Sequence, residues 1–483
     1  MSLFNNPPKG QDYKSHKPQV NNKSFSGSLR DPDSVRIQED SSSESFNGTP
    51  EQSSALFNRI SWRLLPLLFV CYIIAYIDRI NVGFAKLQLR EVIGVNEDVF
   101  GAIYGIGAGL FFIGYFLFEL PSNLIMQRVG AKFWIARIMI IWGFVTMTMI
   151  FIRSTTAFYV VRFLLGIAEA GFFPGVILYL TYWYPSKERA HTIALFYTGS
   201  VIAGIVGSPL SGAILGLHGK IGLDGWQWLF LLEGIPAVLM AVVVFLFLPN
   251  GPQKVKWLSQ GEKKWIQSRL DDEIAQEKGE TRHRLSEALS SSRVWLLCLI
   301  YFLMNVGGYG YEMWMPSIIQ SFSVSNYATV GLINAIPYVV AMVVMLIVGY
   351  SSDRTGERRW HIAIAAFVAA IGFAFSAYLK NPYLSMVTLT LALVGIKSTI
   401  GPFWVLGTMF LSGTAAAGGI ALINSVGNLG GFVGPTLVGI VKDKTGDIGA
   451  SMWFLGGALL LMGLFTLVVR ANPQKKMTDP NNY

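Results

Sequence analysis

Charge is what this chain most lacks: Asp, Glu, Lys and Arg make up 14% of its 483 residues, against 52% hydrophobic residues. A soluble globular protein of this length needs a larger polar surface, so the balance excludes that class and points to a membrane protein. Cysteine is scarce too. Cys71 and Cys298 both fall inside apolar runs, where they read as small packing residues; neither a disulfide framework nor a metal cluster is expected. The five histidines, His16, His191, His218, His283 and His361, never share an apolar run, and the acids have no metal-ligand spacing. No metal, no cofactor and no intramembrane enzyme is therefore expected. The N-terminus lacks a basic stretch running into a short apolar core, so it does not read as a cleavable signal peptide.

What is present is a series of apolar runs. Crossing a bilayer core takes roughly twenty residues, and the pattern predicts twelve spans, at 62–84, 99–121, 133–152, 157–181, 191–217, 226–248, 293–315, 328–350, 361–380, 384–412, 415–441 and 450–470. The expected fold class is an all-α polytopic membrane protein, with the lipid bilayer as its obligatory partner. The net charge of +9 is compatible with nucleic-acid binding, but the basic residues gather in loops on one side of the twelve-span arrangement. They therefore set orientation, and no nucleic-acid partner is expected. With the N-terminus inside, nineteen Lys or Arg fall in inner loops and the C-terminal tail, against seven in outer loops (Lys86, Arg90, Arg153, Lys220, Lys380, Lys442 and Lys444). Both termini are thus expected in the cytoplasm, on a multi-pass protein of the cell's inner (plasma) membrane.

Polarity divides the chain into five parts. Residues 1–55, polar and rich in Ser and Asn, read as a disordered cytoplasmic tail. Two six-helix halves follow at 56–248 and 293–470, joined by a linker over 249–292, and a short tail occupies 471–483. In the linker, Ser259 stands three residues before Glu262, a capping-box spacing, and Trp265, Ile266, Leu270 and Ile274 recur at helical intervals. An amphipathic helix on the inner membrane face is expected, with a plain solvated linker as the alternative. The halves match each other at an offset of 226 residues: Gln127, Arg128, Gly130 and Lys132 fall on Asp353, Arg354, Gly356 and Arg358, while Gly204 and Pro209 fall on Gly430 and Pro435. Repeated halves of like orientation are how many secondary transporters build a central site and alternate its access.

The loop Gly349, Asp353, Arg354, Gly356, Arg358 and Arg359 resembles the signature loop of the major facilitator superfamily, and 57–470 is compatible with that fold of two six-helix halves. The first copy departs from the pattern, with Gln127 where an acid is usual. Arg128, Asp353 and Arg354 are then the candidate gating residues, with nearby Glu119 as the substitute acid. A monomer is expected.

Charged side chains inside a bilayer are costly, so they face the protein interior, pair, or line a path. The set here is Asp78, Arg79, Glu119, Arg137, Arg162, Glu169, Glu233, Glu312 and Lys397. Arg162 and Glu169 are seven residues apart, two helical turns, and so share one face of span four, about 10 Å apart along its axis. Span one runs outward and span four inward, which places Arg79 and Arg162 at similar depths, where one anion can sit near both. Arginine suits that task through its planar, permanently charged fork. Asp78 and Glu169 are candidates for coupling protons to the anion. The plainer alternative is a static pair, Asp78 with Arg162 or Glu169 with an arginine. Glu119, Glu233 and Glu312 lie nearer helix ends and read as structural or gating groups. Lys397 either binds a second carboxylate, favouring diacids, or pairs with a glutamate or snorkels. Trp226, Trp228 and Tyr184 read as interfacial anchors.

Three stretches sharpen the resemblance: Tyr76-Ile-Asp78-Arg79-Ile-Asn81, Phe118-Glu119-Leu-Pro121-Ser-Asn123, and Arg162 to Gly175 with Glu169 and Pro174. Gly401-Pro-Phe-Trp404, Ser412-Gly-Thr-Ala-Ala-Ala and Asn428 to Pro435 agree in the second half. Together they resemble the anion:cation symporter family, and bacterial organic-acid permeases of the tartrate-transporter type in particular. The resemblance implies proton-driven or ion-driven movement of a carboxylate through a cavity between the halves. It implies that Arg79 binds the carboxylate, that Tyr76, Tyr115 and Asn428 bond its polar groups, and that Asp78 and Glu169 carry protons with Arg162 as their switchable partner. Tyr309, Tyr311, Trp314 and Trp404 are candidate pocket aromatics. The expected partners are a small organic anion and protons, with a tartrate-like hydroxy acid first, an aromatic or sugar acid or an anion exchanger as alternatives, and a channel or receptor as the rival class.

Overall fold

The computed structural model describes residues 46–279, 290–409 and 413–469. The expected tails over 1–45 and 471–483, linker residues 280–289, Arg470 and Ser412 lie outside them. Twelve stretches among the described residues are helices long and apolar enough to cross a membrane. In lipid no water is available to satisfy the backbone, so these apolar runs close their hydrogen bonds internally as helices. Each predicted span falls on one of them.

In chain order the helices are α1 (Pro50–Ile80), α2 (Val82–Ile93), α3 (Glu97–Val129), α4 (Ala131–Thr148), α5 (Thr155–Glu169), α6 (Phe172–Thr181), α7 (Ser186–Leu215) and α8 (Gly225–Phe247) in the first half. The second half holds α10 (Ser292–Ser321), α11 (Tyr327–Thr355), α12 (Arg359–Tyr378), α13 (Pro382–Met409), α14 (Gly413–Asn428), α15 (Gly430–Thr445) and α16 (Ile448–Val468), with α9 (Gln260–Gly279) in the linker. The first helix starts earlier than expected. Pro50 occupies its first turn and the Thr49 hydroxyl accepts from Gln52 N, so 50–55 are helical and not part of a loose tail.

Among the described residues, the backbone leaves the helix inside span four, at Ala170 and Gly171 between α5 and α6, whereas Asn81 between α1 and α2 and Leu429 between α14 and α15 keep helical φ and ψ, so spans one and eleven only turn there. Gly171 takes a left-handed φ of +87° and has Ser122 where a Cβ would stand, so the break needs glycine for both reasons.

Two faces of the bundle can be told apart. The linker face carries α9 and the turns after α3 and α11, which end at left-handed Gly130 and Gly356, 226 residues apart as the repeat requires. The capping box of α9 is formed: Ser259 N donates to Glu262 Oε2 at 2.8 Å, and Glu262 N donates to Ser259 Oγ at 3.2 Å. Ile266 is buried, Trp265 meets Phe46 and Phe57, and Glu262 and Glu273 bond Arg59 and Ser186.

At the opposite, far face the two halves are pressed together. Gly101, Gly105 and Gly109, one per turn of α3, lie against Gly439, Pro435 and Phe432 of α15, and Gly212 of α7 lies against Gly331 of α11. Asp443 accepts from the backbone of Gly101 and Ala102 at 3.0 and 2.6 Å. Lys86, expected in an outer loop, is instead buried within α2, 3.4 Å from the centroid of the Trp314 ring and bonded to Ser317. Its long apolar stem allows that burial, and its charge joins the seal between halves. Trp226 and Tyr184 also differ from expectation. Both are buried and hydrogen-bonded, to Asp224 and Ser61 respectively, so they are packing residues and not interfacial anchors.

Candidate functional site

The site residues stand beside the break in span four and the turns at Asn81 and Leu429. Asp78 and Arg79 stand in the last turn of α1, Glu169 is the last residue of α5, and Asn428 the last of α14. After Glu169 the helix ends, and such an end turns its side chain into the space where the next segment departs, which is how an interrupted span presents a polar group at the centre of a membrane protein. Between the halves lies a cavity of about 60 Å³ whose walls include Arg79, Tyr115, Tyr309, Glu312, Lys397 and Asn428. Above it toward the far face, the Tyr104 hydroxyl donates to Met313 O at 2.9 Å and Trp314 Nε1 donates to Pro435 O at 3.1 Å. From Arg79 and Glu312 the lining continues toward the linker face through Tyr72, Tyr301, Asn305 and Asn424.

Arg79 is the cation of the first half. Its Nη2 pairs with Glu169 Oε1, its Nη1 donates to the Tyr309 hydroxyl of the other half at 3.2 Å, and its guanidinium lies over the rings of Phe111 and Tyr115 at 5.2 and 5.3 Å. The ion pair is incomplete. Among the described residues, buried Arg79 Nε and Glu169 Oε2 have no hydrogen-bond partner. Buried polar groups are nearly always satisfied, so an unsatisfied fork beside a cavity marks a place where hydrogen bonds are exchanged.

Arg162 and Asp78 stand behind this wall. Arg162 is fully buried at the depth of Arg79, with its guanidinium 5.2 Å from the same Phe111 ring, but it does not line the cavity; its Nη2 donates to Ala108 O at 3.3 Å. Asp78 accepts from Thr146 at 2.8 Å and from Asn81 at 3.4 Å. A single anion touching both arginines, expected from their depth, is not what the packing arranges, because depth along a helix says nothing of azimuth. Of the two static pairs weighed from sequence, Glu169 with an arginine is present, and the arginine is Arg79.

In the second half the pairing alternative for Lys397 is realised. Lys397 Nζ lies 2.6 Å from Glu312 Oε1, and Tyr76 bonds both partners. Glu312, read from sequence as lying near a helix end, sits instead on the cavity wall of α10. Its position was legible in one respect: it follows Tyr309 by three residues, on the same helical face. Trp404 does not line the cavity. It stacks on Tyr197 and meets Tyr301 edge-on, and those two tyrosines form the wall. Tyr311 and Trp314 are buried away from it. Glu119 joins the halves by accepting from Asn424 Nδ2 at 2.6 Å and Ser425 Oγ at 2.9 Å. Arg128, Asp353 and Arg354 lie exposed on the linker face; the ion pair of Asp353 is with Arg358 of its own loop, at 2.7 Å.

Two halves, a 226-residue repeat carried into matching turns, and a polar cavity at their interface agree with a comparison of sequences. Residues 68–435 match the Major Facilitator Superfamily. The chain belongs to that superfamily. A protein of Agrobacterium vitis named "Putative tartrate transporter" is 46% identical over 90% of this chain and 96% of its own length. A protein of Pseudomonas putida named "Putative metabolite transport protein NicT" is 45% identical over 87% of this chain and 95% of its own length. Among solved structures, a D-xylose-proton symporter superposes with a TM-score of 0.69 at 14% identity, covering 84% of this chain and 97% of that one; at that identity the likeness speaks to fold alone. This major facilitator protein is thus a multi-pass membrane transporter whose relatives are named as transporters and not as enzymes.

Proposed function

We propose that the protein is a proton-coupled symporter that takes up a small organic carboxylate by alternating access, in the inner membrane, with both termini cytoplasmic. One observation carries the reading: the incompletely bonded pair of buried Glu169 with Arg79, whose guanidinium side chain lines the central cavity. A substrate carboxylate that takes the Arg79 fork deprives Glu169 of its cation. A buried carboxylate without a cation binds a proton in preference to staying charged, so anion and proton move together. Tyr309, from the other half, and Asn428 offer hydrogen bonds to the same anion, and Asp78 with Arg162 forms a deeper relay behind Phe111. The name of the Agrobacterium relative favours a tartrate-like hydroxy acid.

A second reading, an aromatic acid, draws on the wall itself, which includes Tyr72, Tyr115, Phe173, Tyr197, Tyr301 and Tyr309. Arg128 and Arg354 are proposed to engage across the linker face in the opposite state, since here they are exposed.

The test is purified protein in liposomes that enclose a pH-sensitive dye, challenged in turn with tartrate, other diacids, sugar acids and aromatic acids. Luminal acidification by one class, abolished in Arg79→Ala, is expected. Entry of labelled acid without any dye response would refute proton coupling and leave exchange or another driving ion.

A further inference from the structure

A second buried ion pair borders the same cavity. Lys397 Nζ on α13 donates to Glu312 Oε1 on α10 at 2.6 Å and to the Tyr76 hydroxyl on α1 at 3.2 Å. Tyr76 in turn donates to Glu312 Oε2 at 2.8 Å. The two charged side chains are 3% and 1% exposed. Burying two ions costs about as much as their attraction returns, so apolar residues of similar size would hold two helices of the same half together equally well. The pair therefore calls for a reason other than stability.

Position supplies one. Tyr76 precedes Arg79 by three residues, so the two occupy adjacent turns on one face of α1. Arg79 with Glu169, and Lys397 with Glu312, are two cations, each held by its own carboxylate, on either side of one helical turn and of one cavity. Among the described residues, Lys397 and the Tyr76 hydroxyl of α1 bond Glu312, and the hydroxyls of Tyr72 of α1, Tyr309 and Tyr311 of its own helix and Tyr338 of α11 are close enough to feel its charge.

We propose that Lys397 and Glu312 form a second carboxylate subsite, so that the cargo is a dicarboxylate and each molecule travels with two protons. The proposal rests on the reading of Arg79 and Glu169 given above. One carboxylate of the cargo takes the Arg79 fork, and the other accepts the Lys397 ammonium hydrogen bonds. Glu312, released from Lys397, takes one proton from water on the open side, as Glu169 does for the first carboxylate. On release of the cargo, Lys397 returns to Glu312 and the proton leaves. The doubly charged anion and its two protons cross as a neutral set. A monocarboxylate leaves Lys397 on Glu312 and travels with one proton.

The probe pair is tartrate and threonate, which share a carbon skeleton and hydroxyls but differ in one carboxylate. For the wild type in liposomes, KM for each labelled acid and the number of protons carried, read at zero voltage from the substrate gradient that nulls flux against a known pH gradient, are measured. Loss of a charge-assisted contact predicts a KM for threonate roughly 10- to 100-fold above that for tartrate, with two protons per tartrate and one per threonate. Lys397→Met combined with Glu312→Gln removes both charges together, which spares the fold an unpaired buried ion. In that variant the two KM values should converge and tartrate should carry one proton. A double variant that keeps both the tartrate preference and the second proton would overturn the proposal. Failure of the wild type to move either acid, or indifference to Arg79→Ala, would instead refute the reading on which it rests.

Discussion

The far-face seal makes a sharp test of alternating access. A Cβ placed on Gly105 would stand 2.8 Å from Thr436 Cα and 2.9 Å from Pro435 C, and would press on Pro435 O as well. Carbon atoms in good contact keep about 3.5 to 4.0 Å, and all three neighbours are backbone, so no side chain can swing away. Gly105→Val therefore forces α3 and α15 apart in the far-closed state and leaves the far-open state untouched. Overpacking of this kind costs typically ~1–3 kcal/mol, which moves a two-state equilibrium by roughly 5- to 150-fold. The native cysteines, Cys71 and Cys298, are buried, so spin labels can be introduced at exposed Ile221 and Thr445 for the far face and at exposed Gln127 and Thr355 for the linker face. Electron-spin distance measurements should show the far-face pair lengthening and the linker-face pair shortening in Gly105→Val. A folded variant with both distances unchanged would refute the reasoning.

Other outcomes follow from the same contacts. Glu119→Gln should weaken the charge-assisted bonds from Asn424 and Ser425 by ~1–3 kcal/mol; in a double-mutant cycle with Asn424→Ala, read as apparent thermal midpoints in detergent, the two losses should be markedly non-additive. Trp226→Ala removes a fully buried indole and should cost ~3–5 kcal/mol, against a smaller loss for the partly exposed Trp228→Ala, both read by thermal unfolding. Ser259→Ala breaks the capping box of α9 and should destabilise that helix by about 1 kcal/mol, visible as faster amide exchange over 260–266 with transport unaltered.

Much of the fold was legible because the bilayer allows so few solutions. Runs of about twenty apolar residues can only be spans, and the shared 226-residue register announced two halves before any coordinate. The break at Gly171 was not legible, since glycine inside apolar runs also serves ordinary close packing. Among the residues at or beside the cavity, Arg79, Glu169 and Lys397 were singled out by the cost of charge in lipid, and Tyr309 as one of four unranked pocket aromatics. Glu312 was misplaced because its span was drawn to end at 315, whereas α10 continues to Ser321; six further residues move it from the helix end into the wall. Trp404 and Lys86 failed for a different reason. Sequence gives depth along a helix, while which neighbour covers a side chain is decided by packing between halves.

The central claim is that a carboxylate replaces Glu169 on Arg79 and that Glu169 then takes up a proton. It is tested most directly by adding tartrate to the purified protein in weakly buffered detergent solution with a pH indicator. Proton uptake in step with binding is predicted for the wild type, with one proton fewer per bound anion in Glu169→Gln. Saturable tartrate binding with no proton uptake, or identical uptake in both proteins, would contradict it.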